Sequence, residues 1–241
     1  MKIDTDVLRL QRIINQYALS GILTQDMIAS AELVIYDQDE GVLEANQPMH
    51  YFYFFVSGKL KVFQVHENGR ALLLQFYSAF DSLGEVEFMN DAPATCSAVA
   101  VQESLLIRIP FEVMHHSAKN HPPFLRYVIR SLSAKLMAAD KHHAYNLLYP
   151  VKNRLSSYLK AYSQNTQMIE LKDSMQEISE YIGTTYRQLH RAFDQLQKSG
   201  VIDKKGKRIL IQNTSELESL AGELYTVDLS TIGHIERHGA K

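Results

Sequence analysis

The stretch SMQEISEYIGTTYRQLHRAFDQLQKSGVI, residues 174–202, decides how the C-terminal part of the chain folds. Ser174 and Thr185 are each followed three residues later by Glu or Gln. In this pattern the hydroxyl caps the first amides of a helix, and the longer side chain reaches back to the capping residue. Gly183 and Gly200 follow the two helical segments, and glycine commonly ends a helix. The stretch therefore predicts two helices joined by a tight glycine turn.

The second of these helices has two chemically different faces. Arg187 and Arg191 are four residues apart and share one face. The opposite face is an apolar stripe that predicts burial: Leu189, Ala192, Phe193 and Leu196. Apolar segments on either side of Lys204-Lys205-Gly206-Lys207 then predict a hairpin with a charged tip. Helix, turn, helix and hairpin in this order predict a winged helix-turn-helix.

A winged helix-turn-helix suggests specific roles in DNA binding. The N-terminal half of the second helix enters the major groove, where Arg can pair with guanine and Gln with adenine. We therefore expect Arg187, Gln188 and Arg191 to read bases. Residues expected to contact phosphate are Thr185, Tyr186, Lys204, Lys205 and Lys207. The alternative is a solvated basic face on an ordinary helical hairpin, which the combination of caps, glycine turn, apolar stripe and charged hairpin disfavours.

Charge is distributed unevenly along a chain whose formal net charge is only −2. Residues 150–208 carry 11 Lys and Arg against 6 Asp and Glu, a net charge of +5. The remaining residues carry 14 against 21, a net charge of −7. A basic module joined to an acidic one indicates a polyanionic partner for the basic module.

The first half of the chain has the pattern of an antiparallel β-roll of about 80 residues, preceded by helical residues 6–30. Turn residues separate the predicted strands, including Ser57-Gly58 and Asn90–Pro93, and Asn68-Gly69 predicts a hairpin. The predicted strands are Leu33–Tyr36, Val42–Ala45, Tyr51–Val56, Leu60–Val65, Ala71–Tyr77, Ala98–Val101 and Leu105–Ile109.

A long helix is predicted between Pro122-Pro123 and about Leu148. Alternating steps of four and three residues are typical of a coiled-coil seam, here formed by Leu125, Ile129, Leu132, Leu136, Ala139 and His143, with Asn146 at its polar end. The alternative is a helix packed on its own roll.

The predicted domain organisation of the whole chain is a sensory roll (1–121), a dimerisation helix (122–149), a DNA-binding domain (150–213) and a C-terminal helix and tail (214–241).

This order of parts, over residues 30–213, resembles the CRP/FNR family of bacterial transcription regulators. The motifs that carry the resemblance are SGKLKVF (57–63), LGEVEF (83–88) and ISEYIGTTYRQLHRAFDQLQKSGVI (178–202). GEVE, VKNRL (151–155) and EYIGTTYRQL look most like the YeiL-like branch. The resemblance implies an α+β chain with a jelly-roll, cyclic-nucleotide-binding-like domain, a dimer helix and a winged helix-turn-helix. It also implies a homodimer that binds double-stranded DNA and contacts RNA polymerase.

The resemblance also places a candidate effector pocket at Gly84, Glu85, Thr95 and Cys96. Members that bind cyclic AMP follow the Gly-Glu pair with an Arg that neutralises the phosphate, but no residue from Val86 to Val101 is Arg or Lys. A buried phosphate without a cation is costly, so we expect no cyclic nucleotide here. In the reading helix, Arg191 matches the family pattern, but Arg187 and Tyr186 replace the usual Glu and Arg, so we expect a different half-site.

Other classes of function find little support in the sequence. One cysteine allows neither a disulfide framework nor a four-thiolate cluster. A free Cys96 is expected to be a small buried side chain. The histidines lack the spacing of a helical zinc site, although His143 could ligate heme or respond to pH. We predict no metal, no cofactor and no enzymatic activity.

The sequence carries neither a signal peptide nor a membrane-length apolar run, so we expect a cytoplasmic location. The hypothesis from sequence is a homodimeric, sequence-specific transcription regulator that binds an inverted repeat. The alternative is a ligand- or protein-binding sensory module with little specific affinity for DNA. The effector, if one exists, is not named by the sequence.

Overall fold

The computed structural model of the chain describes residues 1–65, 71–163, 166–171 and 173–222, without the side chains of 141–146. The described residues fall into two compact units. The first contains Met1–Val62 and Tyr77–Met137, and the second contains Phe63–Phe76 and the described residues from Ala138 onward. The predicted hairpin turn at Asn68-Gly69 and the tail beyond Gly222 lie outside the described residues.

The chain is α+β, as predicted, with the sheet-rich part first and the helical part second. The helices are α1 (Val7–Gln16), α2 (Gln25–Ala29), α3 (Glu85–Asn90), α4 (Phe111–Ser117), α5 (Pro122–Leu148), α6 (Val151–Ser163), α7 (Met175–Tyr181), α8 (Tyr186–Lys198) and α9 (Thr214–Ala221). The strands are β1 (Lys2–Asp4), β2 (Glu32–Tyr36), β3 (Gly41–Leu43), β4 (Tyr51–Val65), β5 (Ala71–Tyr77), β6 (Asp81–Leu83), β7 (Ser97–Pro110), β8 (Met168–Glu170), β9 (Ile202–Lys205) and β10 (Arg208–Ile211).

Strands of the roll pair in the order β1-β2-β7-β4-β5, with β3 on β7 and β6 on β4. The β2–β7 and β4–β6 pairs are antiparallel, with Leu33 opposite Ile107 and Phe54 opposite Ser82. Side chains on the two faces of these strands form two apolar clusters. One cluster lies within the roll, and the other contains residues of α1, α2, α4 and α5. The roll is therefore covered on one side by helices.

Two of the predicted breaks in the roll are wrong. The predicted turn at Ser57-Gly58 lies inside the continuous strand β4, where Gly58 has a φ of +102°. A Cβ at this position would lie 2.4 Å from the carbonyl oxygen of Glu103, so glycine permits the close approach of β7. Likewise, residues 97–110 form one strand rather than two. Ser57-Gly58 and the polar residues 102–104 are typical of turns when only the local sequence is considered. In the structure, pairing with neighbouring strands carries β4 and β7 through these positions without a turn.

Helix α5 begins at Pro122 and continues to Leu148, as predicted. Phe124 and Val128 point into the apolar cluster beneath it. Within the described residues, no helix is long and apolar enough to cross a membrane.

The helix-turn-helix prediction is confirmed for α7 and α8, and the hairpin forms as β9 and β10. Sequence reasoning missed β8, which pairs with β10 to complete a three-stranded sheet. It also missed the short helix α3. The amphipathic segment after Asn213 forms α9, whose Leu217 and Ala221 are buried.

Candidate nucleic-acid interface and effector cradle

Helix α8 is fixed by its caps and by its apolar side. The Thr185 hydroxyl accepts a hydrogen bond from the backbone amide of Gln188, which closes the first turn. The predicted apolar stripe is buried in full, at Leu189, Ala192, Phe193 and Leu196. The opposite side of the helix is therefore held outward in one orientation.

Arg187 and Arg191 lie on the exposed side of α8, one turn apart. Among the described residues, neither guanidinium forms an ion pair with a carboxylate. Two exposed guanidiniums at the N-terminal half of the second helix have the position and donor geometry needed to pair with base edges.

Gln188 is also exposed, but its amide oxygen is used within the chain. It accepts hydrogen bonds from the Thr184 hydroxyl at 2.9 Å and from the Thr185 hydroxyl at 3.2 Å, with the Thr185 amide at 3.4 Å. Reading adenine requires the same oxygen to accept from the base. In this arrangement Gln188 stabilises the start of α8, and Thr185 is part of the same cap.

Tyr186 lies at the start of α8 and is half exposed. Its ring packs against the ring of His190 one turn later, with centroids 4.4 Å apart. This contact limits the rotation of the phenol. Tyr186 therefore presents its hydroxyl in a restricted direction beside Arg187.

The turn before α8 is held from outside the helix pair. The Arg154 guanidinium in α6 donates to the carbonyl oxygens of Ile182 and Gly183, at 2.7 and 3.0 Å. Gly183 has a φ of +63°, which glycine adopts without strain. The pattern VKNRL contains Arg154 but did not reveal this role. Its two hydrogen bonds tie the turn between α7 and α8 to α6.

The charged hairpin, Lys204–Arg208, turns at Gly206. Lys205, Lys207 and Arg208 are exposed, and Lys205 lies 3.3 Å from Asp203. Lys204 differs because its ammonium lies over the ring of the buried Phe193, 5.4 Å from its centroid. Alternate residues of a strand point to opposite faces, which explains why neighbouring lysines have different surroundings. Arg208, the last residue of the charged hairpin, lies directly opposite Lys205.

The cradle comprises residues 81–87 together with Thr95 and Cys96. Gly84 precedes α3 with a φ of +110°, and a Cβ there would meet Met49 at 2.8 Å. Glu85 at the start of α3 is only 3% exposed. Thr95 donates its amide and its hydroxyl to the carboxylate of Glu87, at 2.8 and 2.6 Å. Thr95, one of the candidate pocket residues, is thus bonded to a carboxylate.

Cys96 is half-buried and free. Burial and the nearby Glu87 carboxylate raise the pKa of its thiol to about 11. A thiol with a raised pKa is poorly nucleophilic at neutral pH. These surroundings agree with the packing role expected for Cys96.

A cation does reach the cradle, but it comes from α5. The Lys135 ammonium lies 2.6 Å from the Glu85 carboxylate, 2.6 Å from the carbonyl oxygen of Ser82 and 3.5 Å from the Asp81 carboxylate. The Ser131 hydroxyl donates to the same Glu85 oxygen at 2.7 Å. The ammonium is therefore already bonded within the chain.

Sequence reasoning missed Lys135 because it searched for a cation only near Glu85. A signal was present in α5, where Tyr127, Ser131 and Lys135 repeat every four residues and form a polar stripe. Ser131 is buried, and Tyr127 donates its hydroxyl to the Ser82 hydroxyl at 2.9 Å. A polar stripe on the buried side of a helix indicates a buried polar partner.

The side of α5 next to this stripe remains open in the single chain. Ile129 and Leu136 are 62% and 64% exposed, whereas Leu125 and Leu132 are half-buried. Ala139 is exposed, and the side chains of His143 and Asn146 lie outside the described residues. Where it is described, the predicted seam is an exposed apolar line at Ile129, Leu136 and Ala139, while Leu132 packs against the apolar cluster of the roll.

Across the described ranges there is no group of three or more His, Cys, Asp or Glu side chains placed to hold a metal ion.

Two family models match the chain, and together they define its class as a sensory domain followed by a DNA-binding domain. The cyclic nucleotide-binding domain model matches residues 33–121, and the Crp-like helix-turn-helix domain model matches residues 153–220. The chain belongs to the CRP/FNR family of bacterial transcription regulators.

Individual relatives agree with this assignment. The chain is 24% identical over 210 residues to the regulatory protein YeiL of Escherichia coli O157:H7, covering 87% of this chain and 94% of YeiL. It is 26% identical over 173 residues to the transcriptional activator protein anr of Pseudomonas aeruginosa, covering 69% and 70%. A CRP/FNR-family regulator from Thermus thermophilus has a similar fold, with a TM-score of 0.64, 21% identity, and coverage of 79% and 98%.

Proposed function

We propose that this DNA-binding transcription regulator acts as a homodimer, binds an inverted repeat in a sequence-specific manner, and does not respond to cyclic AMP. Sequence-specific DNA binding is supported by Arg187 and Arg191, which are exposed on a helix whose other side is buried. Arg187 and Arg191 read bases, while Tyr186, Lys205 and Lys207 contact phosphate. Base reading by Gln188 and phosphate contact by Thr185 require DNA to displace the bonds of the α8 cap. Phosphate contact by Lys204 requires its ammonium to leave the ring of Phe193.

The exposed apolar line on α5 supports a homodimer. Burying large aliphatic side chains such as Ile129 and Leu136 is favourable by about 1.5–3 kcal/mol each. A second copy of α5 buries the same residues on both chains, because a twofold interface is self-complementary. The two recognition helices then enter successive major grooves, about 34 Å apart.

The chemistry of the cradle supports the absence of a cyclic nucleotide. Asp81, Glu85 and Lys135 together carry a net charge of −1 when all are ionised, and Glu87 adds a second carboxylate nearby. A phosphate entering this site would meet an ammonium that is already bonded and carboxylates that repel it. Separating Lys135 from Glu85 would leave a buried carboxylate without its partner, which is costly.

The inverted repeat is tested by selecting bound duplexes from a random pool with purified, ligand-free protein. The expected product is an inverted repeat with half-site centres about 10–11 base pairs apart, bound by two chains. Recovery of single half-sites bound by one chain, or of no consensus, would contradict the proposal.

The effector part is tested by calorimetric titration with cyclic AMP and cyclic GMP at up to about 1 mM. We expect no saturable heat from either nucleotide, and no change in DNA affinity. Saturable binding that also tightens DNA binding would refute this part and leave the DNA-binding part intact.

A further inference from the structure

The cradle contains a cluster of buried charged side chains that has no part in the proposed DNA contacts. We call Asp81, Glu85 and Lys135 the clamp. The two carboxylates are 5% and 3% exposed, and they belong to the roll. Lys135 belongs to α5, and its side chain is 21% exposed although its ammonium contacts three acceptors. The clamp therefore joins the roll to the helix that carries the exposed seam.

The contacts of the clamp are unequal. The Lys135 ammonium lies 2.6 Å from Glu85 but 3.5 Å from Asp81. Glu85 also accepts hydrogen bonds from the hydroxyls of Ser131 and Ser82. Asp81 accepts one from the Ser82 amide at 2.7 Å. When both carboxylates are ionised, a single ammonium is shared between two buried anions, and Asp81 is the less well compensated of the two.

We propose that Lys135 is a positioning residue that holds α5 on the cradle in place of an effector, and that protonation of Asp81 loosens this hold. A neutral Asp81 no longer attracts the ammonium, so Glu85 is the one carboxylate of the clamp that still holds it. The consequence for DNA binding rests on the proposed function. Ser131 and Lys135 directly precede the seam residues Leu132 and Leu136, so a weaker hold on the former leaves the latter less ordered.

Burial effects support Asp81 as the group that titrates. Burial raises the pKa of Asp81 to about 6, and the nearby Lys135 offsets this only in part. Burial also opposes ionisation of Glu85, but the Lys135 ammonium and the surrounding hydrogen bonds leave its pKa below the usual value. Burial opposes the charge on Lys135 as well, yet Asp81 and Glu85 raise its pKa well above the usual value.

The other groups that face the clamp come from β5, α3, α5 and the segment before β7. Burial raises the pKa values of the Tyr77 and Tyr127 phenols and of the Cys96 thiol. These three groups therefore stay neutral between pH 5 and pH 8. Glu87 on α3 is a charged neighbour bonded to Thr95.

The sign of the effect on stability follows from the raised pKa of Asp81. Between about pH 4 and pH 6 the folded chain binds more protons at Asp81 than the unfolded chain does. The contribution of Asp81 therefore stabilises the roll as pH falls from about 6 to about 4, and it is constant above that window. Ordinary carboxylates with lowered pKa values behave in the opposite way.

The test compares the wild type with Asp81→Asn, which imitates the protonated carboxyl. DNA affinity is measured by fluorescence anisotropy at pH 5.5, 6.5 and 7.5, with the exposed Asp140→Asn on α5 as the matched control. We expect the wild type and the control to bind at least threefold more weakly at pH 5.5 than at pH 7.5. Asp81→Asn should bind at pH 7.5 as the wild type does at pH 5.5. Identical pH profiles for all three proteins would overturn the proposal.

A second measurement separates positioning from simple structural support. The carboxyl carbon resonance of Asp81 is followed by NMR in the wild type, Lys135→Met and Lys135→Arg. We expect a midpoint near pH 6 in the wild type, at least one pH unit higher in Lys135→Met, and restored toward the wild-type value in Lys135→Arg. A midpoint near 4 in the wild type, or no change in Lys135→Met, would overturn the proposal.

The two measurements also distinguish this proposal from the proposed function. If the wild type binds no DNA at any pH, the proposed function fails while the titration of Asp81 still tests the clamp. If DNA binding is normal and the Asp81 midpoint is near 4, the clamp proposal fails alone. The wild-type titration requires no variant, so it remains decisive even if Asp81→Asn does not fold.

Discussion

Arg191 and Lys205 represent two kinds of DNA contact that differ in their response to sequence. A guanidinium that pairs with a base contributes to one position of the site, whereas an ammonium near a phosphate contributes to every sequence alike. We expect Arg191→Ala to cost about 1–3 kcal/mol on the selected site and to relax specificity at one base pair. Lys205→Ala should weaken selected and random duplexes by the same factor, as measured by competition anisotropy. An equal loss on both duplexes for both variants would contradict these roles.

Gln188 is expected to contribute to the stability of α8. Because its amide oxygen is used in the cap of α8, Gln188→Ala is expected to lower the free energy of unfolding by about 0.5–1 kcal/mol. The matched control is Gln195→Ala, an exposed glutamine on the same helix, which should leave stability unchanged. Urea unfolding followed by circular dichroism measures both. If Gln188→Ala leaves stability unchanged but alters specificity at an A·T pair, base reading is the main role of Gln188.

Helix α5 has three sides, and each has a different expected function. Phe124 and Val128 pack on the roll, Lys135 enters the cradle, and Ile129 with Leu136 remains exposed. Leu136→Lys should leave the chain folded, because the side chain is already 64% exposed, and should convert the dimer to a monomer. Arg130→Glu, on the far side of the helix, is the control and should remain dimeric. Sedimentation velocity measures both, and a dimer in Leu136→Lys would contradict the seam.

Elements whose signals are local were predictable from the sequence. The capped helices α7 and α8 and the start of α5 at Pro122 depend on residues within a few positions of one another. Gly58 misled the prediction because Ser-Gly indicates a turn locally, while its true cause is the close approach of Glu103 from β7. The short helix α3 was missed for a similar reason, since only the geometry at Gly84 makes room for it.

In the candidate site, too, residues that lie close together in sequence were predictable, whereas contacts between residues far apart in sequence were not. The arginines of α8 and the charged hairpin were found because they lie within one continuous segment. Lys135 was missed because it reaches Glu85 across 50 positions of sequence. Lys204 and Gln188 were assigned from residue type, and their actual contacts with Phe193 and with the Thr185 cap depend on tertiary geometry.

We expect the whole molecule to recognise a specific DNA sequence without a bound ligand. The basic module and the exposed arginines predict binding that is both selective and sensitive to salt. Each phosphate neutralised by Lys or Arg contributes about −0.9 to the slope of log affinity against log salt concentration. A module with several such contacts should therefore lose affinity steeply as salt concentration rises.

Specific recognition without a ligand is tested by a fluorescence-anisotropy titration of the purified, ligand-free protein. The duplexes are the selected inverted repeat and a random sequence of equal length, each at two salt concentrations. We expect binding to the selected repeat to be at least about 10³-fold tighter than to the random duplex, with a steep salt dependence for both. Weak binding that is equal on both duplexes and insensitive to salt would contradict it and favour a sensory module that acts without DNA.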